Sequence, residues 1–145
     1  MSDKPLKLML SIPPVEGVED VVIAAIEALA TKMGFTPADT QDIVQALTEA
    51  CINAIIYSAS SHDVEVVALA GHSSLVIEVR DRGSGFDPNS VPPPDFDTIV
   101  SNGLPNNGGF GLHMIKALVD SVDIESSDRG TVVRMSKFLK VSTPN

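Results

Sequence analysis

The sequence has no tryptophan, one tyrosine and an aromatic content of 4%, so its core must be built from aliphatic side chains and methionine. A single cysteine, Cys51, excludes an internal disulfide framework and a cysteine-based zinc site. Basic residues are scarce: ten Lys and Arg stand against nineteen Asp and Glu, for a net charge of -9. Such a surface repels phosphate backbones and anionic lipid, so direct nucleic-acid binding and membrane-surface roles are not expected. A nucleotide bound here would need local help from backbone amides or a metal ion. No apolar run is long enough to span a bilayer, the richest (Val21–Ala30) is interrupted by Glu27, and the amino terminus has no signal-peptide core. These absences point to a cytoplasmic protein.

What is present suits one globular domain, 1–145, with no internal repeat: 145 residues, 43% hydrophobic and 20% charged. Lys4–Ile12 reads as a strand stopped by Pro13-Pro14. Val18–Met33 has helical spacing, with Gly34 as its terminator. Val64–Ala70 and Leu75–Asp81 form a hairpin through Gly71–Ser74, and Ser121–Glu125 with Thr131–Leu139 form a second around Ser127–Gly130. Between the hairpins, Arg82 to Gly109 is rich in proline and glycine, a length that in a compact domain marks a functional lid or disorder. Leu112–Val119 resumes helical spacing. The order β, α, α, β, β, lid, α, β, β predicts an α+β fold, a two-layer sandwich of a mainly antiparallel sheet with helices on one face.

The central helix, Thr40–Ser58, is opened by Thr36 as a cap and Pro37 in the first turn. At about 100° per residue, Ile43, Leu47, Ala50, Cys51 and Ala54 share one face, and Cys51 reads as an inert core thiol. Ile52 and Ile56 carry apolar character most of the way round. Glu49 and Asn53, one turn apart, stack on a second face. They are either solvated residues at a helix margin or polar groups lining a ligand cavity.

Two glycine clusters bear on that choice. Asp81-Arg82-Gly83-Ser84-Gly85-Phe86 leaves a strand directly. It suits an ordinary glycine turn, or a carboxylate accepting from an exocyclic amine while glycines let a flat ring approach the backbone. Adenine offers that amine, whereas guanine offers a carbonyl. Gly108-Gly109-Phe110-Gly111-Leu112 opens a helix, either as a hinge or as a nest of amides for phosphate. Thr131 follows Gly130 at the start of a strand, where a β-branched residue also fits on propensity alone.

Taken together, E-x-x-x-N on a helix, D-x-G-x-G-F after a strand, G-G-F-G-L before a helix and G-T-x-V resemble the motifs of the GHKL superfamily, which includes gyrase-B, MutL and sensor histidine kinases. The spellings EACINAIIYS and GGFGLHMIKALVDSVDI are most similar to the anti-sigma-factor serine kinases, and the resemblance runs from about Leu6 to Leu139. It implies a Bergerat-type ATP-binding fold with five strands, three helices and an ATP lid over about 87–110. It further implies Glu49 as general base, Asn53 holding the Mg²⁺ that bridges the phosphates of ATP, and Asp81 reading adenine with Thr131 beside it. Gly83 and Gly85 would form the base pocket, and Gly108, Gly109, Gly111 and Leu112 the phosphate-facing end of the lid. The implied acceptor is a serine on an anti-anti-sigma (STAS-type) partner, the second partner a sigma factor, and the assembly a homodimer joined through a sheet or helix face.

Two features depart from that pattern. No Lys or Arg occurs from Gly83 to Leu112, where such kinases often carry a lid arginine, and Tyr57 stands where many relatives have His. Arg82 and Lys116 flank the segment and read as solvated charges, His113 as exposed, and Tyr57 as packed. A regulatory module that binds nucleotide and controls its partner by stoichiometric contact, without phosphoryl transfer, is the alternative.

Overall fold

The computed structural model describes residues 5–57, 62–83 and 109–140, with the backbone alone at 57 and 109–112. In chain order the elements are β1 (Leu6–Ile12), α1 (Glu19–Met33), α2 (Pro37–Tyr57), β2 (Val64–Ala70), β3 (Ser74–Asp81), α3 (Gly109–Leu118), β4 (Ser121–Ser127) and β5 (Gly130–Phe138). The strands form one sheet in the order β1-β2-β3-β5-β4, antiparallel at every junction. The expected α+β sandwich is therefore observed, with the lid at 87–110 falling almost wholly outside the described residues.

Alternation along the strands decides which side is covered. Val64, Val66 and Ala68 on β2, Leu75, Ile77 and Val79 on β3, and Met135 on β5 are buried together with Val22, Ile26, Ile43, Leu47, Cys51 and Ile115 from the three helices. The opposite side carries charge between strands. There Glu78 accepts from Arg80, and from Arg134 Nε at 2.7 Å, so a buried carboxylate on the face opposite the described helices is paired with two guanidinium groups.

Local chemistry sets the ends of the helices. Gly34 closes α1 in the left-handed region (φ 98°), its backbone amide bonding back to the last turn. Thr36 caps α2, its hydroxyl accepting the Asp39 amide at 3.1 Å, and Pro37 opens the helix as expected. Along α2, Ile43, Leu47, Ala50, Cys51 and Ala54 are all buried, whereas Ile56 is 63% exposed and does not extend the buried face. The third helix begins at Gly109 rather than Leu112. Glycine costs least in a first turn, whose amides have no intrahelical acceptor in any case, so two glycines there do not prevent a helical start.

Candidate functional site

Asp81 is the last residue of β3 and lies directly opposite Thr131 on β5. Its carboxylate is half-buried and accepts the Gly83 amide at Oδ1 (2.8 Å) and the Thr131 amide. Burial pushes the Asp81 carboxyl up from its ordinary value, and the two amides pull it back only in part. An ionised carboxylate has about four acceptor positions, so two amides leave capacity for a further donor. Gly83 is buried beside it, and Thr131 is buried on the same side of the sheet.

Gly130 adjoins the candidate site; sequence reading placed it in a turn and at the head of G-T-x-V. Its φ is +135°, and a Cβ there would lie 2.0 Å from the Asp81 carbonyl oxygen and 2.9 Å from the Arg82 Cα. The hairpin end thus rests against the backbone that presents Asp81, an approach open only to glycine. The sequence signal was Gly next to Thr in G-T-x-V; that it abuts a different strand is legible only once β3 and β5 are paired.

Glu49 and Asn53 sit on α2, which packs against β3 and α3. Both are half-buried, between the core face and the open surface. Gly109, Gly111 and Leu112 form the first turns of α3, described as backbone, while Gly85 and Gly108 lie outside the described residues, as does the side chain of Tyr57. Arg82 and Lys116 are exposed, as expected of solvated charges, but His113 is half-buried rather than exposed and does have an interaction partner. Cys51 is buried, and that burial, with the charge of Glu19 nearby, pushes its thiol up to about 12. It is an inert core thiol, as its helical position suggested.

The far end of α3 is held by side chains. Lys137 Nζ donates to the Leu118 carbonyl at 2.8 Å and lies 3.9 Å and 3.7 Å from carboxylate oxygens of Asp39 and Asp42 on α2. Asp120 just beyond accepts the Phe138 amide at 2.7 Å. Among the described residues no group of three or more His, Cys, Asp or Glu could hold a metal ion, and no helix is long and apolar enough to cross a membrane.

Residues 15–137 match the family described as "Histidine kinase-like ATPase domain". The protein named serine-protein kinase RsbW of Bacillus thuringiensis is 33% identical over 141 residues, covering 92% of this chain and 86% of that protein; RsbW of Bacillus anthracis gives the same values. Among solved structures, the RsbU and RsbW domains of a Mycobacterium tuberculosis protein superpose with a TM-score of 0.67 at 21% identity, covering 95% of this chain and 35% of that one. The chain thus spans about a third of that structure's length. The SiaB-SiaC complex from Pseudomonas aeruginosa superposes with a TM-score of 0.60 at 11% identity, covering 94% and 90%. At these identities both structures speak for the fold. With motifs, sheet order and sequence relatives in agreement, the chain belongs to the histidine kinase-like ATPase (GHKL) superfamily, in its branch of RsbW-type anti-sigma serine kinases.

Proposed function

We propose that the protein binds Mg-ATP, phosphorylates a serine of an anti-anti-sigma (STAS-type) partner and sequesters a sigma factor. The observation that carries this reading is the pairing of Asp81 with Thr131 at the end of β3, in the two strands against which the helix bearing Glu49 and Asn53 packs. Asp81 has acceptor capacity for the exocyclic amine of adenine, and Gly83 beside it leaves room for a flat ring. The amides of the first turn of α3, where Gly109 and Gly111 lie, suit phosphate. The name of the RsbW relatives, serine-protein kinase, supports transfer to serine.

In the transfer step the serine oxygen attacks the γ-phosphorus and its proton passes to the Glu49 carboxylate. The bond from that phosphorus to the bridging oxygen breaks, and ADP leaves. Magnesium, when bound, neutralises phosphate charge. An ion that arrives on phosphates needs only one or two protein oxygens, so the Asn53 carboxamide fits it even though the described residues hold no acidic cluster.

Incubation with γ-labelled ATP and the STAS-type protein encoded nearest its own gene tests the proposal. A labelled serine is expected, and Glu49→Ala should lower labelling by about 100-fold or more, the scale of a lost general base, with nucleotide affinity within a few-fold. Equal labelling by Glu49→Ala would remove that base. The absence of Lys and Arg from Gly83 to Leu112 favours a second reading, nucleotide-dependent partner binding without transfer. Nucleotide binding by calorimetry with no labelled acceptor would select it.

A further inference from the structure

The helix-covered side of the sheet ends in a polar row. Asp81 lies opposite Thr131 across β3 and β5, and Thr131 lies opposite Ser126 across β5 and β4. Cross-strand partners project to the same side, so a carboxylate and two hydroxyls stand side by side over three strands. The next row on that side is Val79, Val133 and Ile124, and the one beyond is Ile77, Met135 and Val122, apolar throughout. The two hydroxyl oxygens of the polar row are 2.8 Å apart, and either can be the donor.

That choice of donor matters to a ligand. A hydroxyl has one proton and two acceptor lone pairs. If Thr131 gives its proton to Ser126, it presents only lone pairs; if Ser126 gives its proton to Thr131, the proton of Thr131 remains to be donated. Ionised Asp81 is an acceptor and serves an exocyclic amine. The adenine ring nitrogen next to that amine is itself an acceptor and needs a donor beside Asp81.

We propose that Ser126 is a positioning residue for purine recognition: its hydroxyl donates to Thr131 Oγ1, which directs the Thr131 proton to the ring nitrogen beside the adenine amine. This rests on the nucleotide reading above. Asp81 reads the amine, Thr131 reads the ring nitrogen, and Ser126 fixes the polarity of the pair. Guanine and hypoxanthine present the reverse pair, a carbonyl beside a protonated ring nitrogen, and are opposed at both atoms.

The test is calorimetric titration of the full chain with ATP and with 1-deaza-ATP, which lacks that ring acceptor. Wild type, Ser126→Ala, Ser126→Thr, Thr131→Val and the Ser126→Ala/Thr131→Val double variant are compared, each checked for folding by circular dichroism. Wild type is expected to prefer ATP by about 3–10-fold, the scale of one hydrogen bond. Ser126→Ala should shrink that preference to about twofold or less, Ser126→Thr should retain it, and in the Thr131→Val background Ser126→Ala should change nothing further. Equal weakening of both ligands by Ser126→Ala, or no preference in wild type, overturns the assignment and leaves the nucleotide reading intact. No binding of either ligand by folded wild type overturns both.

Discussion

At the scale of single residues, Asp81 and Glu78 are carboxylates on one strand whose environments push them in opposite directions. Burial raises Asp81, so its ionised form costs folding stability above its folded value, and that cost disappears on acidification. An amine that donates to Asp81 favours the ionised form, so adenine-nucleotide affinity should be full above the raised value and fall as pH drops through it, beginning at higher pH than for an ordinary aspartate. Titrations of ATP between pH 7 and pH 4 check this, and Asp81→Asn should lower adenine affinity by about 1–3 kcal/mol with the fold retained. Burial also pushes Glu78 up, but hydrogen bonds and charges from Arg80 and Arg134 outweigh it and hold the carboxyl below its usual range. Its stabilisation is therefore present above about pH 4, the ordinary glutamate value, and is lost as pH falls through its lowered one. Glu78→Gln should flatten the acid limb of melting temperature against pH.

Gly130 is the residue where a conservative change should cost most. Alanine there meets a strained φ and a backbone oxygen at 2.0 Å, so Gly130→Ala should destabilise by about 2–4 kcal/mol in a urea melt and weaken nucleotide binding beyond what that loss explains. The Thr40 hydroxyl is buried with no hydrogen-bond partner among the described residues. Thr40→Val removes an orphan at nearly constant shape and should raise stability by up to about 1 kcal/mol in the same melt.

At the scale of elements, the helices show how much was legible and why the remainder was not. Period and caps located α1 and α2 to within a few residues, because Gly34 and the Thr36-Pro37 pair act locally and need no tertiary partner. Thr36→Ala should accordingly cost about 1 kcal/mol in thermal unfolding. Two boundaries moved. Helical spacing reads from Leu112 yet α3 begins at Gly109, and Ser127 reads as a turn residue yet ends β4, with Ser126 paired before it. The first shift is local, since a first turn tolerates glycine; the second comes from non-local pairing, Ser127 facing Gly130 and Ser126 facing Thr131 across the hairpin, which outweighs the turn preference of Ser127-Asp128. The Glu49–Asn53 spacing and the Asp81 strand end were visible as patterns. The contacts that unite Asp81 with Thr131, Gly130 and Ser126 depend on β5 lying between β3 and β4, which no local signal carries.

At the scale of the whole molecule, the acidic surface and the one-sided cover of the sheet act together. Among the described residues three helices cover one side of the sheet and concentrate the apolar core there, while Glu78, Arg80 and Arg134 place paired charges on the other. The anchoring at the end of α3 also limits how the molecule can respond to a ligand. Lys137 and Asp120 fasten the carboxy end of that helix to β5 and α2, while its amino end adjoins the glycine motif. Fastened there and seated in the core through Ile115, α3 holds its first turns on an anchored base, so a phosphate taken up at those amides would meet donors already in place.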